Sequence, residues 1–157
     1  MKSMTQKRRT KAQVQAERAA FHEAGHAVMA WLVGAPVEYI EMTQVGESGA
    51  RTSIGPYRGI NKAIDISLAG LAAARLHEHG RTPDIMLRWE AEHDLREARA
   101  ALVESGVANI DASLAMTGRV VKQWLQEYWH QVRALAALLI PGAVIDGETV
   151  TRVIEAA

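Results

Sequence analysis

No cysteine occurs in the 157 residues. That removes disulfides, thiolate metal ligands and a cysteine nucleophile. It fits a reducing compartment, so a cytoplasmic setting is the expectation. Net charge is missing too: Lys+Arg is 18 and Asp+Glu is 18. No global field draws the chain to nucleic acid or to a membrane surface, and no nucleic-acid partner is expected. Long apolar runs are also absent. The longest, 27–37 (interrupted by Gly34) and 135–140, fall short of the ~20 residues of a bilayer span. No signal-peptide core follows the basic start. There is no internal repeat or low-complexity tract, and the length suits one domain with a real core. Lys2, Lys7, Arg8, Arg9 and Lys11 precede the first acid, Glu17. Residues 1–12 therefore read as a basic, flexible tail and 13–157 as the folded domain.

Against these absences stands Phe21-His22-Glu23-Ala24-Gly25-His26-Ala27-Val28. It contains His-Glu-x-x-His within a helical pattern. Positions i and i+4 share one helix face, about 6 Å apart along the axis. The imidazoles of His22 and His26 can therefore converge on one metal ion, with Zn–N near ~2.0–2.1 Å. Glu23 points about 100° around the helix. It can reach a water at the metal without taking a coordination position, which is the arrangement of metal-assisted hydrolysis.

Residues 10–33 read as the helix that carries this motif, ended by Gly34-Ala35-Pro36. Gly25 costs about 1 kcal/mol there against Ala, which suggests close packing against another helix. Residues 37–45 change to a β-like run, 46–49 to a turn and 50–54 to a second short strand. The pair reads as a hairpin, either plainly structural or holding an extended substrate by backbone pairing. Residues 60–79 read as a second helix, with Gly70 allowing close approach and Gly80 as its stop. His77-Glu78-His79 reads as a polar helix end, because i and i+2 diverge by about 200°. Residues 85–105 read as a third helix, with a break near 87–89. Residues 109–140 form a long helical pattern with a kink expected at Gly118. His130 lies on its polar side, and Trp124 and Trp129 read as core or interface aromatics. A short helix over 149–155 closes the chain, opened by Asp146-Gly147-Glu148.

A catalytic zinc has three protein ligands and one open position. The candidates for the third are Glu90, Glu92, His93, Asp94 and Glu97. The small and apolar side of the third helix runs through Leu87, Ala91, Leu95, Ala98 and Leu102. Asp94 falls in the row Ala91, Asp94, Ala98, Ala101 and so points inward. Glu92 points about 160° away and His93 about 100°. Glu90 and Glu97 remain rivals on neighbouring faces. An inward carboxylate among alanines needs a partner: a metal, or Arg75, Arg96 or Arg99.

The chain resembles the peptidase domain of the FtsH-type zinc metallopeptidases, the ATP-dependent membrane proteases. The residues that carry the resemblance are 21–28 with Ala30-Trp31-Leu32, then Leu68-Ala69-Gly70-Leu71-Ala72-Ala73-Ala74. His93-Asp94-Leu95-x-x-Ala98 is similar to the family's Asn-Asp-Leu-x-x-Ala, whose Asp is the third zinc ligand. More loosely, 37–42 and the tail from Ile145-Asp146-Gly147-Glu148 resemble it too. The resemblance implies a zincin-like domain with one Zn²⁺ per chain, held by His22, His26 and Asp94, with Glu23 as general base. The departures are an absent Walker A pattern, an absent membrane anchor, and Ala74-Arg75 where the family carries acids.

The expectation is a mostly helical α+β domain with a HExxH helix, a small β-hairpin or edge strand and a long C-terminal helix. Its activity would be zinc-dependent cleavage of unfolded or flexible polypeptides, with a separate unfoldase or adaptor as partner. The main rival is a non-catalytic, metal-binding adaptor of the same fold. An intact Glu23 weighs against that, since structural zinc sites need no base. A hydrolase of a non-peptide amide is a third reading.

Overall fold

The computed structural model describes residues 9–44, 49–79 and 92–157. Helix α1 spans Lys11–Leu32. Thr10 opens it with a capping box: Thr10 Oγ1 accepts from the Gln13 N–H at 3.2 Å, and Gln13 Oε1 accepts from the Thr10 N–H at 2.8 Å. These bonds satisfy donors that a helix start leaves orphaned. Gly34 ends α1 in the left-handed region (φ +73°), with the Ala35 N–H returning to the Ala30 carbonyl at 2.8 Å. From Glu23 to Ala30 every residue of α1 is buried. The helix is a central rod, covered on several sides.

Helix α2, Ile60–Glu78, lies against it. The two backbones touch at small residues. A Cβ on Gly25 would stand 2.6 Å from the Ala69 carbonyl oxygen and 2.6 Å from Ala73 Cβ. The close packing expected of Gly25 is therefore present, and its partner is α2. The helix ends at Glu78 because His79 itself takes a left-handed conformation (φ 51°). Gly80, the expected stop, lies outside the described residues.

Strands β1 (Val37–Glu41) and β2 (Arg51–Ile54) form the expected antiparallel hairpin. The turn expected at 46–49 falls largely outside the described residues. A third strand, β3 (Val144–Asp146), pairs antiparallel with the other side of β1, so the order is β2-β1-β3. Three residues are too few for alternation to show in sequence. β1 is therefore the central strand, with β2 and β3 at the two edges.

Helix α3, Glu92–Glu104, packs on α2, and only Ala98 and Leu102 of it are buried. The start expected for it at 85–91 lies outside the described residues. The pattern expected as one long C-terminal helix is instead two: α4, Ile110–Glu127, and α5, Trp129–Ala136. The break is at Tyr128 (φ −101°, ψ 27°), not at Gly118. The reason is packing. α4 lies on α2 while α5 lies on α1, and the corner lets Leu125 and Val132 both bury fully. Each such burial contributes ~1.5–3 kcal/mol. The Tyr128 ring also meets Trp31 edge-on, 6.1 Å between centroids. Trp129 stacks near Phe21, while Trp124 is 40% exposed. Helix α6, Gly147–Ala156, closes the chain, with Asp146 as its cap. The core under the sheet joins Val28, Met29, Ile40, Leu125, Leu135 and Ile154. Among the described residues no helix is long and apolar enough to cross a membrane.

Candidate metal centre

One turn of α1 sets His22 and His26 on the face turned to α2. Their Nε2 atoms are 3.0 Å apart. Asp94, near the start of α3, brings Oδ2 to 2.9 Å from His22 Nε2 and 3.2 Å from His26 Nε2. Among the described residues, these three side chains are the group of His and acidic residues whose ligand atoms lie close enough to hold one metal ion. Of the rivals, Glu92 is exposed and His93 turns outward to Glu97, at 3.2 Å. Glu90 lies outside the described residues. Arg99 pairs with Asp111 instead of Asp94. His77 stacks on Phe21 at 3.8 Å and meets Glu17, while Glu78 pairs with the buried Arg18. That end of α2 is structural. His130 is exposed.

The backbone of α2 leaves the room in which the three groups meet. A Cβ on Gly70 would stand 2.4 Å from His26 Nε2 and 2.6 Å from His22 Nε2. Any side chain there would fill the point of convergence.

The donor set itself calls for positive charge. His26 Nδ1–H donates to the Ile66 carbonyl at 2.7 Å, which leaves the lone pair on Nε2 in the neutral ring. Two ring nitrogens and a carboxylate oxygen thus crowd within 3.2 Å. Either a proton on a ring nitrogen or a cation can hold them that close. Burial works against a charged His26, but the bonded Asp94, the Glu23 charge and the Ile66 carbonyl outweigh it and push its pKa up to about 9. Burial would likewise raise the Asp94 carboxyl. The two imidazoles outweigh this and hold it below the usual carboxylate range. A divalent ion answers the same demand with more charge. A tetrahedral zinc at ~2.0–2.1 Å holds its ligand atoms ~3.3–3.4 Å apart, close to the triangle seen. The residues fit such an ion.

Glu23 is only 6% exposed. Thr52 on β2 donates to Glu23 Oε2 at 2.7 Å and lies 3.1 Å from the Glu23 carbonyl oxygen. Sequence reading missed Thr52, since a lone threonine in a four-residue strand carries no signal of its own. All of these groups open on one cavity of about 1020 Å³. Its walls are the first turns of α1, the stretch Met42–Gln44 with Gly49–Thr52, and His93 with Glu97 of α3.

A family model described as Peptidase M50B-like matches residues 15–78. This stretch is similar to a metallopeptidase family. The match covers less than half of the chain. It takes in His22, Glu23, His26, β1, β2 and α2, and it stops before Asp94. The similarity supports a metallopeptidase-related protein and a metal, but the matching family is a different one from the FtsH type. No curated protein matches the chain.

Proposed function

We propose that this protein is a zinc metallopeptidase that cleaves unfolded or flexible polypeptides. The observation that carries the reading is the meeting of His22 Nε2, His26 Nε2 and Asp94 Oδ2, with a buried Glu23 beside them on an open cavity. His22, His26 and Asp94 would hold one Zn²⁺. When bound, zinc supplies a Lewis acid that polarises a carbonyl and makes water more acidic. Glu23 would take a proton from the attacking water and pass it to the leaving amide nitrogen. The Ile66 carbonyl keeps His26 in the tautomer with Nε2 free to coordinate.

Since β1 has neighbours on both sides, an extended substrate would lie along β2, whose Arg51, Thr52 and Ile54 line the cavity. The FtsH-type resemblance rests on 21–28, 30–32 and 68–74, which lie inside the stretch the family model matches, and on His93-Asp94-Leu95 and Ala98 beyond it. It remains the finer part of the proposal, together with a separate unfoldase or adaptor that would deliver substrates.

Metal content and cleavage of an unfolded protein such as casein test the reading together. The wild type should carry one zinc per chain and cleave. Glu23→Gln should keep the zinc and lose ~10²–10⁴ in rate, while Asp94→Ala should lose the zinc. Zinc bound without cleavage by the wild type would favour the adaptor reading.

A further inference from the structure

Glu23 is buried and its work needs one oxygen free and aimed at the cavity. The described residues give its side chain one hydrogen-bond partner, the Thr52 hydroxyl at 2.7 Å. Thr52 Oγ1 has a single proton and two acceptors in reach, Glu23 Oε2 and, at 3.1 Å, the Glu23 main-chain oxygen. The carboxylate contact is shorter and charge-assisted, so it takes the proton. That fixes Oε2 and leaves Oε1 as the oxygen free to move a proton.

β2 is built to deliver this hydroxyl. Successive side chains on a strand alternate between faces. Ser53 bonds Glu38, and Arg51 lies over the Tyr39 ring and near Glu41. Thr52 therefore turns to the opposite face, toward α1. Its register is pinned through Ile40, which pairs with Thr52 on one side and Ile145 on the other. Ile40 is fully buried. Threonine also suits the strand, being β-branched. Glu23 and the sheet are thus joined by one bond across a helix–strand junction.

We infer that Thr52 is a positioning residue for the general base, a role that rests on the peptidase reading. A general base is effective only when held within reach of the proton it moves. Thr52→Val keeps the shape and the β-branch and removes the donor. It should bind zinc as the wild type does, keep KM, and lower kcat by about tenfold. Thr52→Ser, which restores the hydroxyl, should recover most of that loss.

A second readout needs neither zinc nor substrate. In chelator-treated protein, urea midpoints of Thr52→Val, Glu23→Ala and the double variant form a cycle. Coupling between them reports the bond. Additive midpoints would overturn the contact. Coupled midpoints with unchanged kcat in Thr52→Val would overturn the positioning role. A wild type that cleaves nothing would instead sink the peptidase reading and this role with it, while the coupling would still be visible.

Discussion

Helices α1 and α2 meet through glycine and alanine, with no room for one more carbon at Gly25 or Gly70. Helix α3 meets α2 with only Ala98 and Leu102 buried. Both pairs contribute to the same candidate site, yet they hold it by different means. The imidazoles stand on a junction fixed by backbone contact, which needs no ion to form. The carboxylate of Asp94 stands on a thinly anchored helix. Its link to α1 is the contact with the two histidines. The proposed metal should therefore do little for α1 and α2 and much for α3.

The sharpest way to break this comparison uses the two glycines. Gly70→Ala places a methyl among His22 and His26 Nε2. Zinc affinity should fall by at least ~100-fold, comparable to the loss of supporting interactions around a metal. Gly25→Ala presses instead on the Ala69 carbonyl and Ala73. It should cost ~1–3 kcal/mol of stability by overpacking, and the helix propensity gained, about 1 kcal/mol, offsets only part. Zinc titration against a chromophoric chelator and urea unfolding read the two effects separately. If Gly70→Ala binds zinc like the wild type, the ion does not sit where these nitrogens meet.

The same contrast explains what the sequence could show. A helical His-Glu-x-x-His has a fixed period, so the facing of His22 and His26 was readable from spacing, as was the inward turn of Asp94 among alanines. Gly25 and Gly70 were legible as close-approach positions, but not which atoms they spare. What was hidden depends on tertiary pairing. β3 is too short to carry a pattern, so the central place of β1 could not be seen. The corner at Tyr128 exists because α4 and α5 have different partners, α2 and α1, and a single apolar stripe reads the same across it. Thr52 was invisible because its role comes from strand register alone.

Metal removal offers a second, smaller test of the comparison. With zinc chelated, amide exchange in α3 should speed up by about tenfold or more, a difference of ~1.4 kcal/mol in local opening. The buried stretch of α1 and the facing part of α2 should change far less. Mass-resolved hydrogen exchange with and without chelator makes the measurement. Equal loss of protection in all three helices would mean that the ion holds the whole fold and that the α1–α2 junction is not self-sufficient.

The smallest effect belongs to a second carboxylate, far simpler in its surroundings. Asp146 is solvent-exposed and caps α6, its Oδ1 accepting from the Thr149 N–H at 2.7 Å. That backbone bond, with the Thr149 hydroxyl, holds its pKa below the ordinary 3.8. A carboxylate lowered in the folded state adds stability that is present above its unfolded pKa and is lost as pH falls through the folded value. Asn accepts the same capping bond without charge. Asp146→Asn should therefore leave the fold intact and lower the urea midpoint slightly near neutral pH. The gap between variant and wild type should shrink as pH drops below about 4 and close at lower pH. Comparing the two proteins at each pH cancels the larger acid response of Asp94, which both share. A gap that stayed constant down to the lowest pH would show that the charge adds nothing and that Asp146 acts as a neutral cap alone.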